Sequence, residues 1–244
     1  MGFKNFYKYF FNFLIGLAFI ILNIINQYAH AKDLSDLSEL AKASINTEIE
    51  HKFSVGAEYM YIIDDVKDDW RKMLQKTQSG ANLYVGYNWP YIMLEIGYIG
   101  TTRKSKEFLL NTGDVLFGQT YNGVSTVVAG QVRHRSTHFD LNFFANVIGD
   151  FDLVTSAGIS FARPHVTVQF ANNPNLEDIV VSKTTAVPKV GLGFRYLFTN
   201  TFGVRCMWHF DQNSKIRIRY SNFPGTFKPF RDANTFSIGL FGGI

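Results

Sequence analysis

From Phe53 to the end of the sequence, apolar and polar side chains alternate with a period of two residues. Successive side chains of a β-strand point to opposite faces, so this alternation predicts strands that are apolar on one face and polar on the other. The pattern predicts eight strands, at about residues 52–64, 79–89, 91–102, 136–148, 152–170, 186–198, 202–220 and 234–244.

The expected strands are joined alternately by short and long connections. Three of the connections are tight, turn-forming sites, at Trp89-Pro90, Gly149-Asp150 and Thr199-Asn200. The others are long, at about residues 65–78, 103–135, 171–185 and 221–233. Short turns at one end and long loops at the other are typical of an antiparallel up-and-down transmembrane β-barrel, whose long loops lie outside the cell.

The composition favours a barrel over a helical membrane protein. Aromatic residues make up 16% of the chain and charged residues only 18%, yet the mean hydropathy is −0.02. Each membrane-spanning helix needs about 20 apolar residues and would raise that mean. A barrel alternates lipid-facing apolar residues with inward polar ones, so the two contributions cancel. The single cysteine, Cys206, is expected to be an apolar filler.

The first 31 residues have the three parts of a secretory signal peptide. Lys4 and Lys8 are followed by the apolar run 13–25 and then by Ala29-His30-Ala31, with small residues at the cleavage positions. The alternative is an uncleaved inner-membrane anchor, but the run of 13 residues is short for that role, because a spanning helix has about 17–25. Residues 32–51 form a periplasmic segment, either a short amphipathic helix or an N-terminal tail.

The polar faces of the expected strands carry many glycines and a matched set of charges. An eight-stranded barrel is barely wide enough for its own side chains, so glycine opposite a long side chain lets that side chain fit. Charges in so narrow an interior must be paired. The inward faces carry Glu58, Glu95, Asp140, Lys189, Arg195 and Arg205. We expect a salt-bridge network that closes the lumen; the alternative is a charged constriction in an open channel.

Three local features bear on the details of the barrel. The apolar parity of the fifth strand switches at Arg163-Pro164, which predicts a β-bulge there. Residues 115–135 also alternate, and two extra strands in this segment would give a ten-stranded barrel. Asp64, Asp65, Asp68 and Asp69 predict a solvated acidic loop, since they lack the ligand spacing of a calcium loop.

This pattern resembles the small eight-stranded outer-membrane barrels, the OmpA transmembrane-domain and opacity-protein class. The resemblance covers about residues 52–244 and is carried by residues 53–63, 80–89, 187–198 and 235–244. It implies an outer-membrane location and contact with outer-membrane lipid and lipopolysaccharide. A monomer is expected.

Lipid A deacylases are also eight-stranded barrels, and they resemble this chain at Arg219-Tyr220-Ser221-Asn222. Their base is a histidine where Arg219 stands, and arginine cannot accept a proton. His134 and Ser136 have suitable residue types, but no acidic partner follows at similar spacing on that strand. The sequence therefore predicts no catalytic, cofactor-binding or metal-binding residues.

Basic residues gather near the expected outer rim, where lipopolysaccharide phosphates would be attracted. They include Arg133, Arg135, Lys215, Arg217 and Arg219. The alternative is an ordinary solvated rim. The leading functional hypothesis is a non-enzymatic surface protein with a structural or adhesive role, contacting a host surface molecule through its loops. A small porin-like channel is the second hypothesis and a lipid A-modifying enzyme the third. The export signal argues against nucleic acid.

Overall fold

The structure, a computed structural model, describes residues 52–116, 119–171, 179–213, 218–220 and 223–244. The predicted signal peptide and the segment 32–51 lie outside these residues. The strands are β1 (Phe53–Val66), β2 (Thr77–Trp89), β3 (Ile92–Thr101), β4 (Lys104–Leu110), β5 (Val115–Leu116), β6 (Gln119–Thr120), β7 (Thr126–Ile148), β8 (Phe151–Phe170), β9 (Ile179–Ser182), β10 (Thr185–Leu197), β11 (Phe202–Asp211), β12 (Ile218–Tyr220), β13 (Phe223–Phe227) and β14 (Phe230–Gly243). The helix α1 (Asp68–Met73) joins β1 to β2. Within the described ranges, no helix combines the length and the apolar content needed to cross a membrane.

Eight strands form a closed antiparallel barrel in the order β7-β3-β2-β1-β14-β11-β10-β8, and β8 pairs with β7 to close the ring. The predicted fold class is therefore confirmed. The ten-stranded alternative is wrong, because residues 126–135 extend β7 rather than form new wall strands. The short strands β5 and β6 pair only with each other, in a separate sheet.

The barrel wall is longer than expected at the long-loop end. The strand β4 pairs with residues 126–132 of β7, and β9 pairs with residues 165–168 of β8. The predicted loop 103–135 is therefore largely strand, since this pairing satisfies backbone groups that a loop would leave to water. The predicted continuation of the seventh strand to Tyr220 is also wrong. The strand β11 ends at Asp211, and β12 pairs with β13 instead.

An apolar belt surrounds the outside of the barrel. Its outward side chains remain 37–59% exposed although they are large and hydrophobic, as a lipid-facing surface requires. They include Phe53, Val55, Tyr59, Leu83, Val85, Leu94, Ile96, Phe139, Leu141, Ile159, Val190, Phe194, Ile238 and Leu240. Each strand contributes a run of alternating residues close to the roughly 9–11 needed to span a bilayer.

Aromatic rings border this belt at both ends. Near the short turns, Tyr87 makes edge-to-face contacts with Phe53 and Trp89, with ring centroids 5.1 and 4.7 Å apart. Towards the long loops, Phe139 and Phe161 meet edge to face at 6.0 Å. Aromatic girdles of this kind mark the two membrane interfaces of a transmembrane barrel, so the strands above Phe161 extend beyond the lipid.

The predicted bulge at Arg163-Pro164 is wrong, because β8 pairs with β7 in unbroken register through both residues. Even-numbered residues of β8 face inward along its length. The apolar parity switches because the surroundings change. Beside lipid, the outer face must be apolar, whereas above the membrane the wall stands in water and its apolar residues turn inward. Val166 and Val168 are accordingly fully buried inside the long-loop end.

These inward residues belong to an apolar cluster that caps the long-loop end of the barrel. The helix α1 packs into it through Trp70 and Met73, beside Leu74. Close approach of the helix depends on Gly130 of β7, where a Cβ atom would collide with the backbone carbonyl of Met73. We call this cluster the apolar cap: Val66, Trp70, Met73, Leu74, Leu110, Val128, Val132, Ala162, Val166, Val168, Phe170, Val187 and Phe230.

Candidate functional site in the barrel lumen

The centre of the lumen is organised around Arg205 of β11. Its Nε donates to Glu58 Oε1 at 2.7 Å, and its two terminal nitrogens donate to Glu95 at 2.6 and 3.3 Å. Its guanidinium also lies over the Tyr84 ring, 4.1 Å from the centroid. All three charged side chains are buried. Arginine suits this position because its planar group can bind two carboxylates and stack on a ring at once.

A second set of polar contacts lies beside the arginine centre. Lys189 Nζ donates to Asp140 Oδ2 at 2.6 Å, and His138 Nδ1 lies 2.9 Å from the same oxygen. Asn82 links this set to the first, because its Nδ2 donates to Glu58 Oε2 at 3.0 Å while its Oδ1 lies 2.9 Å from His138 Nε2. The His138 ring therefore lies between the Asp140 carboxylate and the Asn82 amide, with one nitrogen towards each.

The third ion pair lies near the short turns. Arg195 Nε donates to Asp152 Oδ2 at 2.6 Å, and its guanidinium lies 3.6 Å from the Phe144 ring centroid. The sequence prediction missed Asp152, although its even parity on the fifth strand is the signal that places it inside. An apolar cluster fills the lumen around this level: Tyr84, Met93, Phe144, Val154, Met207 and Phe241.

The structure thus places all six predicted lumen residues inside the barrel, each in an ion pair. The sequence matched three acids against three bases. The structure adds Asp152 as the partner of Arg195 and the ring of His138 beside Asp140. Each ion of this network also has hydrogen bonds, which reduces the penalty for burying it.

Glycines make room for these side chains. A Cβ atom at Gly97 would collide with the His138 ring, and one at Gly158 would collide with Asp140. By contrast, the nearest atom to a Cβ at Gly100 is 3.5 Å away, on the Tyr98 ring. The inward glycines Gly97 and Gly158 thus leave room for the His138 and Asp140 side chains of the neighbouring strand.

A separate polar chamber lies between the ion-pair network and the apolar cap. Asp64 Oδ2 accepts a hydrogen bond from Gln78 Nε2 at 2.9 Å and lies 3.1 Å from His134 Nε2. Gln78 is held in turn by Thr101, whose hydroxyl donates to Gln78 Oε1 at 2.8 Å. The expectation that Asp64 belongs to a solvated loop is wrong. It lies on β1, faces inward and is 1% exposed, because pairing with β14 continues as far as Val66.

A cavity opens beside Asp64, and we call it the outer chamber. Its lining combines aliphatic walls with carboxylates, hydroxyls and an imidazole: Ile62, Asp64, Ile99, His134, Arg135, Ser136, Ser160, Ala162, Asp211, Asn213, Ala233 and Thr235. Phe230 of the apolar cap packs on His134, with ring centroids 5.3 Å apart. The outer chamber is therefore the polar space of the lumen that lies nearest the long-loop end.

One group in the described part of the chain brings three metal-ligand atoms within 4.8 Å of one another, and it consists of Glu95, His138 and Asp140. Arg205 and Lys189 already donate to its carboxylates. The carboxylates that a metal ion would need as ligands are therefore already paired with Arg205 and Lys189.

The residues considered for catalysis do not face lipid. His134 and Ser136 both point into the lumen, and Asp64 of β1 lies beside His134 there. Ser221 lies outside the described residues.

Two of the predicted rim residues, Arg133 and Arg135, lie on the outer face of β7. Arg135 is the cross-strand partner of Arg163 on β8. Arg163 lies two residues beyond Phe161, on the long-loop side of the aromatic girdle. Arg133 Nε donates to the carbonyl of Thr101 at 3.1 Å. Arg219 lies on β12, whereas Lys215 and Arg217 lie outside the described residues. Of the five predicted rim residues, the described part of the chain thus places Arg133 and Arg135 two residues apart on the outer face of β7.

No protein-family model matches the sequence, and no curated protein is significantly similar to it. Among solved structures, Neisserial surface protein A is 13% identical over 79% of this chain and 97% of its own, with a TM-score of 0.45. Ail, the attachment invasion locus protein of Yersinia pestis, is 12% identical over 79% and 96%, with a TM-score of 0.43. The outer membrane protein OprG from Pseudomonas aeruginosa is 11% identical over 80% and 99%, with a TM-score of 0.44. The described strands of this chain themselves form an eight-stranded antiparallel barrel with an apolar outer belt.

Proposed function

We propose that this protein is an outer-membrane surface barrel that does not conduct and that acts through its long-loop end. The observation that carries the proposal is the filling of the lumen at successive levels. An apolar cluster around Arg195 lies near the short turns, the Arg205 network fills the centre, and the apolar cap closes the other end. A solute passing through would have to break buried ion pairs, which costs several kcal/mol per ion left unpaired.

The long-loop end offers an ordered surface for contact. The hairpin of β4 and β7 stands above the membrane on regular pairing, and Leu109 and Val127 are cross-strand partners on its exposed face. Nearby in sequence, Val124 is 86% exposed. Exposed apolar side chains on a rigid hairpin are typical of surfaces that contact other molecules. We propose that this hairpin contacts a host or neighbouring surface.

The basic outer face supports a further role for the membrane itself. Arg133 and Arg135 lie just above the aromatic girdle, at the height of lipid headgroups. We propose that they hold phosphates of lipopolysaccharide. Exchanging Arg135 for Gln should reduce the lipopolysaccharide retained on purification, whereas Glu107→Gln, on the exposed face of β4, should not. If both variants retain the same amount of lipopolysaccharide, the basic residues form an ordinary solvated rim and do not hold phosphates.

Conductance across a planar bilayer tests closure. The wild-type barrel should show no steady current, and the double variant Lys189→Ser/Arg205→Ser should show none either, because the apolar cap and the cluster around Arg195 still fill the two ends. Arg103→Ser changes charge outside the lumen and serves as the control. A steady wild-type current that is unchanged in the double variant would overturn the closed lumen and favour the small channel.

Surface contact is tested by shortening the hairpin. Leu110 and Thr126 are cross-strand partners, so residues 111–125 can be replaced with Asn-Gly, which forms a two-residue hairpin turn. The barrel should still show heat-modifiable migration on a gel, and binding of cells that display it to host cells should fall. A further variant, Leu109→Ser/Val127→Ser, keeps the loop length and removes only the apolar face. Undiminished binding by both variants would contradict hairpin-mediated contact.

A further inference from the structure

Four basic side chains form a compact block on the outer face of the barrel wall. Arg135 of β7 is the cross-strand partner of Arg163 on β8, and one repeat closer to the long loops Arg133 is the partner of His165. The odd-numbered residues of both strands face outward here, between buried even-numbered ones. Directly opposed side chains have Cβ atoms about 4.5–5.5 Å apart, and like charges so placed destabilise a sheet. A shared anion would relieve that repulsion. We call these four residues the basic block.

The immediate surroundings of the basic block on its own two strands are uncharged. The outward positions next to it on β7 and β8 hold these side chains: Gln131, Thr137, Phe161 and Thr167. On the other side of β7, the partner of Arg135 is Gly100 of β3. A Cβ atom at Gly100 would lie 3.5 Å from the Tyr98 ring, its nearest neighbour, so no side chain fills the space beside Arg135. An anion can therefore reach Arg135 without meeting a carboxylate on β7 or β8.

The lower pair of the basic block, Arg135 and Arg163, is the better placed for a ligand. Both side chains are exposed, whereas Arg133 and His165 are half-buried, and Arg133 Nε donates to the carbonyl of Thr101 at 3.1 Å. Arginine has five N–H donors, so a guanidinium with one contact inside the chain keeps others for an anion. Arg163 lies two residues beyond Phe161, about 7 Å along the strand, which puts the pair at the height of lipid headgroups above the aromatic girdle.

The two guanidinium groups distinguish between kinds of phosphate. Each can form two parallel N–H···O bonds to one phosphate. Two guanidinium groups that bind the same phosphate and share one oxygen therefore need three terminal oxygens. A phosphomonoester has three and carries about −1.5 to −2 charges at pH 7. A phosphodiester has only two terminal oxygens and a single charge, so it cannot satisfy both groups in this way.

We propose that Arg135 and Arg163 together bind one phosphomonoester headgroup of an outer-leaflet lipid, with Arg133 and His165 supplying further N–H donors above it. This inference rests on the proposed contact between the basic outer face and lipid phosphate. It adds Arg163 as an equal partner of Arg135, and it adds a preference for phosphomonoesters over phosphodiesters.

Binding can be measured on the full chain refolded in detergent micelles, from the guanidinium Nε–H resonances of Arg135 and Arg163. The probes are phosphatidic acid, which is a phosphomonoester, phosphatidylglycerol, which is a phosphodiester, phosphatidylcholine, which has no net charge, and inorganic phosphate. We expect phosphatidic acid to bind about tenfold more tightly than phosphatidylglycerol, because it accepts additional charged hydrogen bonds. Inorganic phosphate should bind more weakly than phosphatidic acid, since no acyl chains hold it at the barrel surface.

The outcomes separate this inference from the proposal on which it rests. Equal affinity for phosphatidic acid and phosphatidylglycerol, with both above phosphatidylcholine, would overturn the phosphomonoester site and leave the contact with lipid phosphate in place. Equal affinity for all three lipids would overturn both. Inorganic phosphate that binds as tightly as phosphatidic acid would overturn a lipid as the source of the phosphate.

The matched variants are Arg163→Gln and Arg231→Gln. With one guanidinium left in the lower pair, Arg163→Gln should reduce the preference for phosphatidic acid from about tenfold to about twofold or less. Arg231 is an exposed arginine of β14, and its Nη1 lies 3.9 Å from Asp65 Oδ2, so its exchange should leave the preference unchanged. Arg135→Gln should repeat the effect of Arg163→Gln. Heat-modifiable migration on a gel checks that each variant folds, and an undiminished preference in Arg163→Gln or Arg135→Gln would refute the site.

Discussion

Removal of Arg205 should destabilise the barrel more than loss of any other lumen cation. In Arg205→Met the carboxylates of Glu58 and Glu95 lose all three guanidinium hydrogen bonds. Each then keeps one amide donor, from Asn82 at 3.0 Å and Asn142 at 3.2 Å respectively. Removing one partner of a buried ion pair costs about 3–5 kcal/mol. Because two acids are left unpaired here, we expect a loss of at least about 4 kcal/mol in the free energy of unfolding.

The measurement is denaturant unfolding in lipid vesicles, followed by tryptophan fluorescence, with Arg103→Met as the exposed control. The control should lie within about 0.5 kcal/mol of wild type. The triple variant Arg205→Met/Glu58→Gln/Glu95→Gln should recover most of the loss, because neutral groups of similar shape can replace a buried ion network. A cost below about 1 kcal/mol for Arg205→Met, the value of an exposed ion pair, would refute the reasoning. So would a triple variant as unstable as the single one.

Three further outcomes follow from the packing of the wall and cap. Gly97→Ala should lower the free energy of unfolding by about 1–3 kcal/mol because its methyl group overpacks the lumen, while Gly100→Ala on the same strand should be close to neutral; equal effects would contradict the close packing. Ile96→Lys, in the apolar belt, should cost about 2–4 kcal/mol in vesicles, and a cost near zero would place that face outside lipid. Phe230→Ala should cost about 3–5 kcal/mol and speed amide hydrogen exchange at the long-loop end, whereas wild-type exchange there would show that the apolar cap is not packed as described.

Much of the barrel wall could be predicted from local pattern. Alternation from Phe53 onward assigns each side chain to one of two faces, because the side-chain period of a strand is two residues. The same parity placed Glu58, Glu95 and Arg205 inside, where the structure has them. The same parity places Asp152 of β8 inside as well.

The errors arose where strands leave the membrane. Parity alone cannot show whether an apolar face meets lipid or a buried core, so the change at Arg163-Pro164 resembled a bulge. The change marks instead the height above which the apolar side chains of β8 face the apolar cap inside the barrel and no longer face lipid. The segment 103–135 was expected to be a loop for a related reason, because its strand pairing depends on β4 reaching β7 above the barrel.

The sequence by itself determined the eight wall strands beside the lipid, their two faces and the sign of the inward charges on them, because these depend on neighbours one or two residues apart. Only the tertiary structure decided which charges meet, since closure of β7 on β8 fixes the register around the ring. That register brings Arg205 to two acids from other strands and sets Asp64 beside His134, 70 residues away in sequence. The outer chamber exists only because of that closure.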